Sequence, residues 1–287
     1  MAKKVARIGE DEVTKNGWIY TVIFTIVSII FVSPIFIVFM NSFKQKSFIN
    51  LQPFSLPTSE TYVKWENYTR GIQQIGFFDA FKNSLIITVL SVLLIVLCTS
   101  MCAWYISRVE SKPASALYYL FAFSMIIPFQ MVMFTLSKVA DMLRLTTPIG
   151  IVLVYLGFGA GLAVFMFVGF VKGIPLEVEE AAIIDGCNPI QTYFLVVLPI
   201  LKPTCITVSI LQTMWIWNDY LLPYLVLDIT EYKTIPIAIQ YLKGGYGSVD
   251  WGAMMAMLVL AVIPIIIFYA ACQKYIIKGV VAGAVKG

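Results

Sequence analysis

Residues 179–189 read EEAAIIDGCNP, a polar and punctuated stretch between two apolar runs at 151–171 and 203–225. Upstream of it, Gly173, Ile174 and Pro175 break the first run. Pro175 suits the first position of a new helix, where its missing N–H leaves no bond unmade. Glu177, Glu179 and Glu180 then crowd the opening turns, where carboxylates favour the positive end of the helix dipole. Ala181 and Ala182 are strong helix formers that leave little bulk on the surface. Gly186 is a natural terminator, since it enters the left-handed region without a Cβ penalty. Asn188 followed by Pro189 reads as the N-cap and first position of a second helix. The apolar run 190–197 belongs to that helix and ends at Leu198-Pro199. The segment 172–202 is therefore predicted to be helix, sharp turn, helix.

Its charge says what it faces. A helix lying on an anionic leaflet carries Lys and Arg on its polar face. Here Glu177, Glu179, Glu180 and Asp185 stand against Lys172 and Lys202 at the two ends. That sign is wrong for lipid headgroups and right for a protein partner.

The rest of the chain supplies the setting. With 60% hydrophobic and 13% charged residues and a mean hydropathy of +0.86, it is too apolar to stay soluble as a globule. Several runs reach about twenty residues, the length of a helix that crosses a bilayer core. Six spans are expected, at 18–40, 83–105, 114–134, 151–171, 203–225 and 251–271, which makes the chain an all-α integral membrane protein. Pro34 predicts a kink in the first span and Pro128 lies near the far end of the third. In the fourth, Gly157 and Gly161 sit four apart, a spacing that lets two backbones approach. Between the third and fourth, Val139, Met142, Leu143 and Leu145 are expected to share one face of a short amphipathic connector.

The N-terminal residues are mixed in sign, and no small-residue cleavage site follows the first apolar run, so 1–16 reads as a cytoplasmic tail ahead of a retained helix, 17–40. An external loop follows at 41–82, structured by its prolines and aromatics. The core spans 83–272 and includes the loop 172–202; a second cytoplasmic tail occupies 273–287. Lys and Arg number eleven on the side holding both termini and nine on the other, a bias in the direction of termini inside.

Several function classes are excluded. The chain has no histidine, the commonest general base and metal ligand. No metal site, no cofactor and no catalytic residue is predicted. The net charge of +4 is spread out, so no nucleic acid is expected as a partner. The five cysteines have no framework spacing and read as small hydrophobes, Cys187 in the loop apart. No phosphate-binding G-x-x-x-x-G-K-[ST] motif is present, so ATP is not expected to bind to this chain alone. An intramembrane enzyme lacks its nucleophile and acid pair. A self-sufficient channel or secondary transporter would spread ionisable residues through the spans.

Three polar residues are candidates for a solute pathway. Asp219 is the clear acid inside an apolar run and must face protein or water. With Asn218 and Tyr220 it lines the pathway, or it sits near the external end, solvated or paired with a neighbouring helix. Gln130, just after Pro128, suits either a pore wall or a helix–helix hydrogen bond. Trp215, Trp217 and Tyr220 suit sugar stacking or an interfacial aromatic belt.

The residues Glu180, Ala181, Ala182, Asp185, Gly186, Phe194, Leu198, Pro199 and Pro203 resemble the EAA loop of ABC-importer permeases, with Cys187 standing where that family often has alanine. The likeness extends to WNDYLLPYLVL (217–227), TIPIAIQ (234–240), DWGAMMAM (250–257) and the terminal GAVKG (283–287). These segments resemble the second permease of maltose-type carbohydrate importers. The resemblance implies a type I importer permease fold with six transmembrane helices in a bacterial cell membrane. It implies a second, homologous permease, a homodimeric cytoplasmic ATPase, an extracytoplasmic sugar-binding protein and an oligosaccharide substrate as partners; a non-sugar solute is the alternative. In that scheme Glu180, Ala181, Ala182, Asp185 and Gly186 form the coupling helix seated in an ATPase cleft. Lys286 and Gly287 reach the ATPase interface, and Lys243, Gly244, Gly245 and Tyr246 contact the binding protein.

Overall fold

The computed structural model describes residues 17–242 and 248–284, and among these it is almost entirely helical. The chain divides into two compact units, 1–71 with 243–260, and 72–242 with 261–287.

The first unit contains α1 (Gly17–Asn41), α2 (Lys46–Leu51), the opening of α3 (Glu66–Ile75) and the first turns of the last helix, Trp251–Ala284. α1 runs unbroken through Pro34, and none of its apolar window is buried within the chain. Three of its hydroxyls are satisfied by its own backbone: Thr21 and Thr25 donate to the carbonyls of Gly17 and Thr21, and Ser33 to that of Ile30. That is the cheapest arrangement for a helix surrounded by hydrocarbon. Beyond α1 the expected external loop is tightly organised. Phe43 packs among Phe39, Tyr62, Trp65 and Tyr68. Asn67 donates to the carbonyls of Ser42 and Lys44, while Ser42 shares a 2.7 Å hydrogen bond with Tyr68. Asp250 caps the last helix through the N–H of Ala253 and pairs with Arg70 at 2.8 Å. Lys44 is fully buried and donates from Nζ to the carbonyl of Gln52 at 2.9 Å and to Ser55 Oγ.

The second unit is built on α4 (Phe77–Arg108), followed by α5 (Lys112–Ser124), α6 (Phe129–Met142) and α7 (Gly150–Val171). Then come α8 (Leu176–Ile184), α9 (Pro189–Ile200), α10 (Lys202–Asn218), α11 (Leu221–Val226), α12 (Ile235–Gln240) and α13 (Trp251–Ala284), of which residues from 261 onward belong here. α7 is apolar all round and is the most buried of the long helices, as expected of a helix central to its unit. Its core partners include Ile87, Ile95 and Ala103 of α4, Tyr193 and Val197 of α9, and Val208 and Ile216 of α10. Two glycines of α7 set the spacing. A Cβ on Gly159 would stand 2.6 Å from Ile95 Cδ1, and one on Gly161 3.0 Å from the Phe121 carbonyl. Gly157, by contrast, meets nothing within 4 Å, so the close approach falls at 159 and 161 and not at the 157/161 pair read from spacing. Buried Gln212 of α10 donates to the Gly159 carbonyl at 3.3 Å.

Among the described residues, four helices are long and apolar enough to cross a membrane: α1, α4, α7 and residues 251–273 of α13. Two bent pairs, α5–α6 at 108° and α9–α10 at 75°, bring the number to as many as six. The apolar run expected as one third span is thus two helices, and α6 carries on through the stretch expected to be a separate connector. Proline explains both bends. Pro128 has no N–H for the Ser124 carbonyl and disfavours helix at Ile127, so α5 ends at Ser124 and α6 begins after Pro128. Pro203 likewise cannot donate to the Pro199 carbonyl, and the chain turns at Leu201.

Candidate functional site

The segment between α7 and α10 carries the most sharply defined local structure. α8 ends in a Schellman motif. The N–H of Gly186 donates to the Ile183 carbonyl and that of Cys187 to the Ala182 carbonyl, both at 3.0 Å. Gly186 sits at φ +88°, where any side chain would strain the backbone. Two residues on, Asn188 and Gln191 form a reciprocal capping box at 2.9 Å in each direction, which starts α9. A turn thus rises between two capped helices, each end satisfied by its own residues.

The faces of this hairpin differ. Glu180, Ala181, Asp185 and Gly186 are exposed, as are Glu177, Ile183 and Ile184, with Ile184 85% exposed. Ala182, the fifth of the predicted contact residues, is turned inward and buried. So is Glu179, at 4% exposure. Its Oε1 accepts from Arg108 Nε at 2.9 Å and Nη2 at 2.7 Å, and its Oε2 accepts from Trp104 Nε1 at 2.9 Å. Arg108 Nη2 also donates to the Ile174 carbonyl at 3.0 Å, in the connector that leads into α8. Tyr193 of α9 lies against Trp104, ring centroids 5.6 Å apart, and its hydroxyl shares a 2.6 Å hydrogen bond with Ser100. Tyr193–Val197 makes one π-helical turn, a wider coil that often marks a functional position.

The four acids that set the sign of this loop therefore divide. Glu179 is paired inside the chain with Arg108, and the carboxylates of Glu177, Glu180 and Asp185 remain exposed. Sequence reasoning counted Glu179 with its neighbours and passed over Arg108, Trp104 and Tyr193. One signal was present. Ser100, Trp104 and Arg108 recur every four residues, which puts three polar-tipped side chains in one stripe along α4. α4 has 32 residues and rises about 48 Å, well beyond a bilayer core of about 30 Å, and Arg108 is its last residue.

The pathway candidates lie elsewhere in the second unit. Asp219 follows the last residue of α10 in extended backbone. Its Oδ1 accepts from the N–H groups of Leu221 and Leu222, and Oδ2 accepts from Tyr155 Oη at 3.1 Å. The carboxylate thus ends α10, starts α11 and ties both to α7. Asn218 is exposed and donates to the Met214 carbonyl, and Gln130 is exposed in the first turn of α6. Trp217 is buried, edge-on to Phe81, with its N–H given to the Ala261 carbonyl. Trp215 packs edge-on to Tyr155, and Tyr220 stacks on Tyr224. Among the described residues no group of three or more acidic or cysteine side chains is placed to hold a metal ion. Lys243, Gly244, Gly245 and Tyr246, and the terminal Lys286 and Gly287, lie outside the described residues.

Comparison with known proteins places this geometry. Residues 95–281 match the family described as the binding-protein-dependent transport system inner membrane component. A probable starch degradation products transport system permease protein of Thermoanaerobacterium thermosulfurigenes is 40% identical over 269 residues, covering 94% of this chain and 97% of its own length. A multiple sugar-binding transport system permease protein of Streptococcus mutans is 34% identical over 281 residues, covering 96% and 99%. A diacetylchitobiose uptake system permease protein of Streptomyces coelicolor is 28% identical over 282 residues, covering 98% and 92%. Among solved structures, a chain of a bacterial ABC transporter that imports the acidic polysaccharide alginate superposes with a TM-score of 0.77 at 21% identity. It covers 93% of this chain and 98% of its own, a likeness of fold.

Proposed function

Because the chain belongs to the family of binding-protein-dependent transport system inner membrane components, we propose that it is one permease half of an ATP-driven oligosaccharide importer. In this reading a second, homologous permease completes the pathway. A cytoplasmic ATPase dimer drives the cycle and an external sugar-binding protein delivers the substrate. Both termini and the α8–α9 hairpin face the cytoplasm. The sugar-transport names of the relatives support oligosaccharides as the substrate class.

The observation that carries the reading is the hairpin itself. It presents Glu180, Ala181, Asp185 and Gly186 outward on a self-capped turn, with small residues for close approach and carboxylates for polar anchoring. Exposed Ile183 and Ile184 add an apolar contact at the tip. A docked ATPase that changes shape on binding and hydrolysing ATP would grip this tip differently in its two states, and that difference biases the permease between inward- and outward-facing forms. Gln130, Asn218 and Asp219 are the pathway candidates of this half. Asp219 would act there through the geometry it imposes on the α10–α11 junction as well as through its charge. The terminal Lys286 and Gly287 would add to the ATPase contact, and Lys243 to Tyr246 would meet the binding protein.

Reconstitution tests this. Vesicles holding the chain with its partner permease and ATPase should accumulate labelled oligosaccharide only when ATP is inside and the binding protein outside. Uptake that is indifferent to ATP would refute the proposal.

A further inference from the structure

Resting on the reading of the Glu180–Gly186 turn as the ATPase contact, we infer that Arg108 is a coupling strut. With Glu179 and Trp104 it carries displacement of α8 into α4, and Arg108 and Glu179 are positioning residues for the transport cycle.

The connector that joins α8 to α7 is a short turn through Lys172, Gly173, Ile174 and Pro175, hydrogen-bonded along its backbone to the carbonyls of Val168, Phe170 and Val171. α8 itself has nine residues, too few for a helix to hold its own place in water. The side chains that fix it come from α4. Arg108 spends two N–H groups on Glu179 and a third contact on the Ile174 carbonyl, so one guanidinium holds both α8 and the joint at its root. Trp104 holds the other oxygen of Glu179. The carboxylate is 6% exposed and the guanidinium 18%, so water competes little for either.

The second arm of the hairpin is tied to the same helix. Tyr193, at the start of the π-helical turn in α9, meets Trp104 by ring contact and Ser100 by hydrogen bond. Ser100, Trp104 and Arg108 lie one helical turn apart on one face of α4. Both arms of the hairpin therefore hang from a single stripe, and α4 continues into the packing against Gly159 of α7 and the core of α10. This stripe gives a load on the tip a path into the spans besides the covalent connections of the two arms.

The test uses the assembled importer in vesicles, with uptake per ATP hydrolysed as the readout and the ATPase retained on the purified complex as the control. Arg108→Gln and Glu179→Gln should each lower sugar moved per ATP by about tenfold, in the range of allosteric coupling energies, in complexes that still hold their ATPase. The double variant should lose no more than either single one, because both remove one device. Trp104→Phe, which deletes only the Nε1 donor, should lose less. An unchanged ratio in both Gln variants, additive losses in the double variant, or a loss of uptake that only tracks loss of assembled complex would each overturn the strut. Wild-type vesicles that show no ATP-dependent uptake would refute the importer reading instead.

Discussion

Gly186 and Glu179 mark the two kinds of information a single position holds. Gly186 is legible from its neighbours: a glycine after an alanine-rich helix, before Asn-Pro, has one sensible conformation, and the structure has it at φ +88°. Glu179 and Glu180 are not separable in that way. Adjacent residues on a helix point about 100° apart, and the choice of which turns inward is made by Arg108, 71 residues away in sequence. Removing one partner of such a buried pair costs about 3–5 kcal/mol, so the choice is strongly enforced. At Gly186 the expectation is direct. Gly186→Ala should cost about 1–2 kcal/mol of local stability, seen as faster hydrogen exchange across 182–188. Gly186→Pro cannot reach a positive φ and loses the N–H given to Ile183, so it should abolish ATP-driven uptake while membrane insertion, followed by fractionation, is unaffected. Normal uptake in that variant would remove the hairpin from the coupling path.

At the scale of elements, apolar length located the helices and proline cut them. Hydropathy has no term for a missing N–H, so the run around Pro128 reads as one span although the chain turns through 108° there. Glycine spacing is similarly blind to direction. Gly157 and Gly161 share the spacing of a packing motif, yet the structure crowds Gly161 against α5 and leaves Gly157 open, while the unremarked Gly159 takes the contact with α4. This yields a paired prediction. Gly161→Leu should lower stability by about 1–3 kcal/mol, because the Phe121 carbonyl is backbone and cannot step aside. Gly157→Ala should leave the melting temperature of the purified protein unchanged. Equal effects at the two sites would contradict the packing of α5 on α7.

Across the whole molecule, the sequence conveyed class and family resemblance more completely than it conveyed internal order. An apolar chain with six long runs announces a polytopic helical protein. That the loop after the first helix is a packed body with a buried lysine is written in contacts between distant residues. Lys44 makes the point measurable. Burial pushes its ammonium below the ordinary value of 10.5. Between the folded and the ordinary value the unfolded chain holds the extra proton, so this residue's contribution to stability rises with pH across that window and is level below it. Lys44→Met should remove the rise. The melting temperature of the wild type relative to the variant should climb as the pH rises toward 10.5, and parallel curves would place Lys44 in water.

The unbroken α1 has a consequence of another kind. Its 25 residues rise about 37 Å, against a hydrocarbon thickness of about 30 Å, and none of its apolar window is buried within the chain. Among the described residues its unit anchors it at the C-terminal end, where Met40 and Asn41 are buried, and leaves the apolar window uncovered. Its inclination is therefore set from outside, by acyl-chain length and by whatever neighbour lies along it in the membrane. The first helix thus acts as a gauge of bilayer thickness.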